Sequence, residues 1–461
     1  MKLYKPIFIF SFSFFPLVVA LLMLLNLGCK KSPTEIDKPP IIITPPSLEL
    51  SVDGVSCTEA WIKVKKLNDT TFLPISVKIN EKEFFHGFLA ATDTVLFIDS
   101  LTPNTTYTVK GIILDTLQTA KELKVTTLPT TSHNFTWQTF EFGEHSSSVL
   151  NDVAIIDENN IWAVGEIYMN DSLGNPDPIA YNVIHWNGTK WEVNKISVLY
   201  NGNQTVAPLE GVFALPTGEI IFSSGLPYLP QTNGWKLYHL WDMGILNQND
   251  GGVTKIWGTS INDLYFVGRK GTIVHYDGKN WQKIESETDV DLTDVWGSPD
   301  GAVVWVSGYM TGKTTLIKIQ LNKATKIFEG SPYTQLNGKY VGTINSVWSK
   351  RSDRTYYLNA GWGEINIQNS KNEELKPRYL VNNIIEYMYR LRGLDYNDIY
   401  VAGEDGKVGH FDGQTYGGYS ALKTSNAAYY SLAVKNRTLV AVGEKPLNSY
   451  EWQALILLGK R

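Results

Sequence analysis

The sequence predicts an all-β protein, a small β-sandwich followed by a β-propeller of seven blades, with six and eight as the adjacent counts. Three observations predict it. One phrase, VTKIWGTSINDLYFVGRKGTIVHYDGKNWQKI at 253–284, returns as YRLRGLDYNDIYVAGEDGKVGHFDGQTY at 389–416 and, split by an insertion, at 151–165 and 181–196. A unit of about forty residues with four short strand signals is the mark of a propeller blade. Ahead of the repeats, residues 47–129 form a separate block of short alternating segments. The composition agrees: 38 Gly, 14 Trp, 24 Tyr and 18 Phe suit many short strands joined by tight turns.

The chain opens on a targeting segment, expected to span 1–28. Lys2 and Lys5 precede an apolar run from Ile7 to Leu27 that ends in Leu-Asn-Leu-Gly-Cys at 25–29. A positive start, an apolar middle and a small residue before the cut describe a secretory signal. A cysteine directly after that residue resembles the lipobox of bacterial lipoproteins, although Asn26 stands where an aliphatic residue is usual. The resemblance implies that Cys29 carries a diacylglycerol and becomes the mature N-terminus. An uncleaved membrane anchor is the alternative, since a largely apolar run of 21 residues can span a bilayer; Pro16 and the Gly28-Cys29 pair argue against it. Residues 29–46 then read as a tether, with five prolines in KKSPTEIDKPPIIITPP; extended polyproline geometry gives about 3.1 Å per residue. Lys30 and Lys31 follow the cysteine without an acidic retention signal. The expected location is the cell envelope, anchored by lipid in the outer membrane and facing the periplasm or the exterior.

With 41 Lys and Arg against 46 Asp and Glu the net charge is −5, so no basic bias points to nucleic acid. Two cysteines are too few for a disulfide framework. Cys57 is expected as a buried thiol within a strand.

In the 47–129 block the expected strands are LELSVDGV, AWIKVKKL, PISVKIN, VLFIDSL, TYTVKGIIL and ELKVTTL. Six or seven strands in about 80 residues make a sandwich. The stretch DSLTPNTTYTVKGIIL at 99–114, with VTTLP at 125–129, resembles the fibronectin type III signature. That resemblance implies that Leu101 and Tyr107 pack at the corner entering the penultimate strand and that Trp61 is the core tryptophan of an early strand.

The blades are aligned on an inner apolar residue and a later glycine: Val153/Gly165, Val212/Gly225, Ile256/Gly268, Val295/Gly308, Val347/Gly361, Leu391/Gly403 and Leu432/Gly443. Within a blade, VTKIWG, LYFVG, TIVHYDG and WQKI are strands a to d. The last unit ends at ALILLGKR, a strand c, while NFTWQTFEF at 134–142 has the Trp-Gln phase of a strand d. A three-stranded blade would leave an open edge, so the propeller is expected to span 134–461 with 134–142 completing its last blade. The repeats resemble the tryptophan-rich propellers of uncharacterised secreted and surface proteins, a likeness that carries no catalytic residues.

Sites of chemistry are few. His185, His275 and His410 share one phase of different units, so they cannot converge on a metal at about 2.1 Å; His145 and His239 are isolated. Gly308 to Thr314 has three residues between its glycines where a phosphate loop needs four, and reads as a polar hairpin. Ser298-Pro-Asp300-Gly301 only faintly resembles the Asp-box turn of sialidases. Asp289, Asp291 and Asp294 lack the glycine and distal glutamate of a calcium loop, and read as a solvated acidic turn. Seven Asn-x-Ser/Thr sequons reflect turn-rich composition. No cofactor or metal is expected.

The in-phase tryptophans Trp257, Trp296 and Trp348, with Trp191, Trp281 and Tyr416, read as packing between blades. The out-of-phase aromatics Tyr228, Trp235, Trp362, Tyr387 and Tyr389 are the candidate ligand-binding residues. Insertions at 166–180 and 226–236 mark the expected binding face. The expectation is a monomeric, non-enzymatic scaffold for protein or polysaccharide. The alternative is a carbohydrate-active lyase or glycosidase, for which Glu364 and Glu404 are the acids to test.

Overall fold

The computed structural model describes residues 45–461 apart from 69–71, 337, 362, 377, 382–383, 385–386 and 420–425. The signal segment, Cys29, nearly all of the tether, and Trp362 lie outside the described residues. Among the described residues no helix is long and apolar enough to cross a membrane.

The N-terminal block holds seven strands: β1 (Ser47–Val55), β2 (Ala60–Leu67), β3 (Leu73–Ile79), β4 (Lys82–Leu89), β5 (Asp93–Ile98), β6 (Thr106–Ile113) and β7 (Leu123–Thr126). They form two antiparallel sheets, ordered β1-β2-β5 and β4-β3-β6-β7. Alternation builds the core between them: Ala60, Ile62 and Val64 from β2 face Ile75 and Val77 of β3 and Val109 and Ile113 of β6. Strand β4 is absent from the expected set. It is an edge strand with aromatics on both faces: Phe84 is 41% and Phe88 69% exposed, whereas Phe85 and Leu89 pack on the core, so its hydrophobic residues do not single out one buried face. The hydroxyl of Tyr107 accepts a hydrogen bond from the Thr102 amide at 2.9 Å and pins the corner before β6.

Two expectations for this block are corrected. Trp61 lies one residue out of phase with Ile62, so it faces away from the sandwich core and packs on Phe97 and on Tyr396 of the propeller. Cys57 is fully buried, but in the bend between β1 and β2 rather than in a strand.

From Thr136 onward the described chain folds into seven four-stranded antiparallel sheets, here numbered one to seven in the order of their inner strands. Those inner strands are Val149–Asp157, Gly211–Ala214, Val253–Ser260, Leu292–Gly297, Thr343–Arg351, Met388–Asp395 and Ala428–Lys435. Each contacts the next, and the seventh contacts the first. The outer strand of sheet seven is β8 (Thr136–Phe142), paired antiparallel with Trp452–Lys460 from Phe142↔Ala454 to Thr136↔Lys460.

The hydrophobic core is divided into layers between successive sheets, because each sheet is apolar on both faces. Between sheets seven and one, for example, Leu150, Ile161 and Ile184 meet Val440, Ile456 and Leu458. Each fully buried aliphatic side chain contributes about 1.5–3 kcal/mol.

The repeated letters have local causes. In DGKN the Asp277 carboxylate accepts the amides of Lys279 and Asn280 at 2.8 and 2.6 Å. Gly278 supplies φ +91 in this turn, a left-handed conformation costly for other residues. Asn187-Gly188 and Asp412-Gly413 repeat the device. The in-phase histidines tie strand c to the a–b turn. His185 Nε2 meets Asn160, His275 meets Asp263 and His410 meets Asp398, each at 2.9 Å. Each imidazole also packs on the aromatic of strand b: Trp162, Tyr265 or Tyr400.

The sandwich and the propeller sheets belong to one compact unit, Pro46–Arg461. Their seam is polar at its edges: Asp53 pairs with Arg351 at 2.6 Å and Glu59 with Arg378. Beneath it, the Cys57 thiol donates to the Pro129 carbonyl at 3.1 Å and sits where a Cβ on Gly413 would come within 2.4 Å.

Candidate functional site

The residue before the inner apolar position of each sheet faces the axis of the propeller. These residues are Asp152, Gly211, Lys255, Asp294, Ser346, Arg390 and Ser431. They join into a polar belt. Asp152 accepts from the Ser431 hydroxyl at 2.6 Å and pairs with Lys255 at 3.2 Å. Gly211 stands between that pair in sequence order, and a Cβ there would come within 2.2 Å of the Thr254 carbonyl. Lys255 also donates to the carbonyls of Asn151 and Glu210.

Asp294 is the other anchor. It is 1% exposed, accepts from Ser346 at 2.5 Å, and pairs with Arg390 at 2.6 Å. Arg392 binds it with two parallel bonds of 2.8 Å, a geometry that fits guanidinium to carboxylate. Burial alone would raise the Asp294 pKa; the charges of Arg390 and Arg392 outweigh it and hold the carboxyl well below its usual range. Burial pushes the Lys255 ammonium down, and Asp152 pulls it partly back. The expected solvated acidic turn is therefore corrected for Asp294. Asp289 and Asp291 do lie at the surface, the first against Lys313 and the second accepting the Lys270 amide.

On one side of the belt lies a cavity of about 120 Å³. Its floor is Asp152, Lys255, Asp294 and Arg392; its wall includes Phe213 and Trp296. These rings lie 6.3 Å apart, edge to face, and the Arg392 guanidinium sits 4.5 Å from the Trp296 ring centre. Trp296 departs from its two homologous tryptophans. Trp257 and Trp348 are buried against Gly297 and Gly393 of the following sheets, where a Cβ would come within 2.2 and 2.8 Å of the indole. Sheet five carries Ser349 in that slot, and Trp296 remains partly exposed in the cavity. An apolar wall over a few converging charges is the usual composition of a ligand pocket.

The candidates from sequence are dispersed. Residues 226–236 are not an insertion: they form the hairpin Pro227–Gln231 and Gly234–Leu237, the two outer strands of sheet two. Tyr228 is accordingly 3% exposed, and Trp235 packs on Phe222 and Trp162 while its indole donates to the Ile220 carbonyl. Both belong to the core. Trp362 is outside the described residues. Tyr387 and Tyr389 are brought together, with ring centres 5.3 Å apart, and Tyr430 packs on Tyr389 at 5.3 Å. Tyr389 donates to Glu404 at 3.1 Å and Tyr430 to Glu444 at 2.7 Å. Burial, aided by these carboxylates, raises both phenol pKa values. Glu364 and Glu404 line separate clefts, so the geometry does not pair them.

The sequence reading left out Phe213, Lys255, Arg390 and Arg392, and assigned Asp294 to an acidic turn and Trp296 to packing. For Lys255, Asp294 and Arg390 the signal was available in the column before the inner apolar residue, where charge recurs beside positions that must be buried; Phe213, Trp296 and Arg392 stand one place after that residue, a column that is otherwise varied.

No known protein-family profile matches the chain. An uncharacterised protein of Aquifex aeolicus (strain VF5) is 37% identical over 87 residues, 18% of this chain; the match spans 64% of that protein. Among solved structures, YCF48 bound to D1 peptide is similar over 72% of this chain and 99% of its own, with 15% identity and a TM-score of 0.50. YCF48 from Cyanidioschyzon merolae (12% identity, TM-score 0.48) covers 70% and 98%, and the WD40 β-propeller domain of Doa1 (11% identity, TM-score 0.47) covers 72% and 98%. The fold of this chain is thus a β-propeller.

Proposed function

We propose that this protein is a non-enzymatic binding scaffold whose propeller receives a segment of a partner protein in the axial cavity. The observation that carries the reading is Trp296, held half-open beside Phe213 above the Arg392–Asp294 pair. Aromatic rings beside a paired arginine suit an extended peptide with one apolar side chain, aromatic and arginine residues being enriched at binding hot spots. The solved YCF48 propeller that holds the D1 peptide is a precedent for a peptide on this fold.

The seven sheets are taken as seven blades closed by β8, which the cyclic contacts of the inner strands support. The sandwich is taken as fibronectin type III-like, on the support of its β1-β2-β5 and β4-β3-β6-β7 order and the Tyr107 corner. The whole is read as a monomer tethered through lipidated Cys29 to the outer membrane.

The test is a peptide array probed with the full chain, followed by calorimetry on the hits. Trp296→Ala and Phe213→Ala should each weaken binding about thirtyfold, the scale of losing one aromatic hot spot. Undiminished binding by both variants removes the axial cavity from the reading. Release of products from a glycan panel removes the non-enzymatic assignment.

A further inference from the structure

A second concavity, distinct from the axial cavity, opens between sheets six and seven. It is an open groove of about 580 Å³, and its lining includes Tyr389, Tyr430, Trp452, Glu404, Asp405 and Glu444. Three carboxylates and three aromatic rings line this groove, and among the described residues no lysine or arginine is in its lining. Elsewhere the chain places its own cations on tyrosine rings: Lys195 on Tyr181 at 4.4 Å, Lys339 on Tyr379 at 3.5 Å and Lys350 on Tyr396 at 5.0 Å.

The carboxylates are oriented as well as charged. Glu404 accepts the Tyr389 hydroxyl through Oε1 and Glu444 accepts the Tyr430 hydroxyl through Oε1. The same hydroxyls hold the aromatic faces at a fixed angle, the two rings standing 67° apart. An isolated bridge between Glu404 and Ala428 ties sheet six to sheet seven at the base of the groove. The segment joining the two middle strands of sheet seven, Thr438–Pro446 and Trp452–Lys460, forms one rim, and there Leu447 is 40% and Tyr450 89% exposed. Apolar side chains beside a polar groove extend the surface beyond what a small ion needs.

We propose that this groove receives a lysine or arginine side chain presented by a partner protein, with the exposed Leu447 and Tyr450 contacting the flanking residues. The cation lies over the faces of Tyr389 and Tyr430 and between the carboxylates of Glu404 and Glu444. Charge complementarity selects this occupant: aromatic faces attract cations, and a lining whose described charged residues are all acidic repels carboxylates and phosphates. The axial cavity, with its Arg392 and Lys255, has a different charge pattern, so the two sites select different features.

The experiment is calorimetry on the full chain with three probes: a lysine- and arginine-bearing hexapeptide, its glutamine-substituted counterpart, and spermidine. The basic peptide should bind, the neutral counterpart about tenfold or more weakly, and added salt should weaken the basic peptide. Glu404→Gln, whose side chain is at the surface, and Glu444→Gln should each lower affinity several-fold, while Trp296→Ala leaves it unchanged. A thermal melt accompanies each variant. Should Glu444→Gln melt early, Glu404→Gln alone decides. Equal binding of basic and neutral peptides, affinity unmoved by Glu404→Gln, or spermidine binding without peptide binding overturns the proposal. Loss of basic-peptide binding in Trp296→Ala would instead assign that peptide to the axial cavity and overturn the groove.

Discussion

The guanidinium of Arg354 lies 3.7 Å from the centre of the Trp61 ring. One side chain comes from sheet five of the propeller and the other from β2 of the sandwich, so this stack joins the two modules. Arg354 is held by two bonds to Asp353 and packs on Tyr396 as well. Trp61→Ala should therefore cost about 3–5 kcal/mol and loosen the seam rather than either core. Calorimetry should show the single transition broadening or splitting, and proteolysis should begin near 129–134. An unchanged melting curve would show that the seam does not depend on this stack.

Ring closure makes a second prediction. Strand β8 covers the outer edge of sheet seven, and Trp137 sits where a Cβ on Gly459 would come within 2.4 Å. Deleting 134–142 removes this strand and exposes Phe140-facing core between sheets seven and one. The melting temperature should fall by about 10 °C or more, since each kcal/mol lost shifts it by a few degrees. An unshifted melt would mean that the ring closes without β8.

Third, the Asp294→Ala variant should be severely destabilised. It leaves Arg390 and Arg392 buried without their common partner, a class of change costing about 3–5 kcal/mol. Urea denaturation measures it; a loss below about 1 kcal/mol would show that water or Asp152 compensates.

The pH dependence has two windows with one sign. Burial pushes the His410 pKa below its ordinary 6.5, while Asp398 pulls it partly back; burial likewise depresses His185. Neutral His410 fits its geometry: Nε2–H donates to Asp398 at 2.9 Å, and Nδ1 stands 2.9 Å from His133 Nδ1. As pH falls below 6.5 the unfolded chain takes up protons that the folded His410 refuses, so stability decreases. Asp398 adds a lower window. Burial would raise its pKa, but bonds from His410 and Arg461 hold it to about 2; the stability it contributes is present above the ordinary carboxylate value and is lost as pH falls towards 2. Urea midpoints between pH 7.5 and 5 should decline in the native chain and decline less in His410→Gln. Equal slopes would remove His410 as the cause.

Cys57 supplies a probe of the seam. Burial, followed by the charges of Asp412 and Asp395, raises its thiol pKa to about 11. In a Cys29→Ser variant, thiol reagents at pH 8 should label Cys57 only as fast as the seam opens, and Trp61→Ala should speed labelling by an order of magnitude or more, as about 1.4 kcal/mol of lost protection is tenfold. Immediate labelling of the native chain would contradict the burial of this thiol.

Much of the scaffold was legible in the chain. The phrase at 253–284 marks its four strands because period-2 alternation and Asx turns are local properties, set by neighbours a few residues apart. The in-phase histidines were legible as consensus residues for the same reason: their Asp or Asn partner lies in the same sheet. Tyr228 and Trp235 were illegible because the residues between them break the repeat pattern yet still form a hairpin. Trp61 was misplaced because phase tells which residues share a face but not which face is inward.

By itself the sequence determined a propeller of repeated four-stranded sheets, through local pattern and turn chemistry. Tertiary structure alone decided the axis. Asp294, Ser346 and the neighbouring Arg390 and Arg392 come from three different sheets and meet only when the sheets are arranged around a centre. Trp296 shares its letter and phase with Trp257 and Trp348, and only Ser349 of the neighbouring sheet keeps it from the same burial. A repeat encodes what every unit has in common, whereas a binding surface arises where units differ and where their differences converge in space.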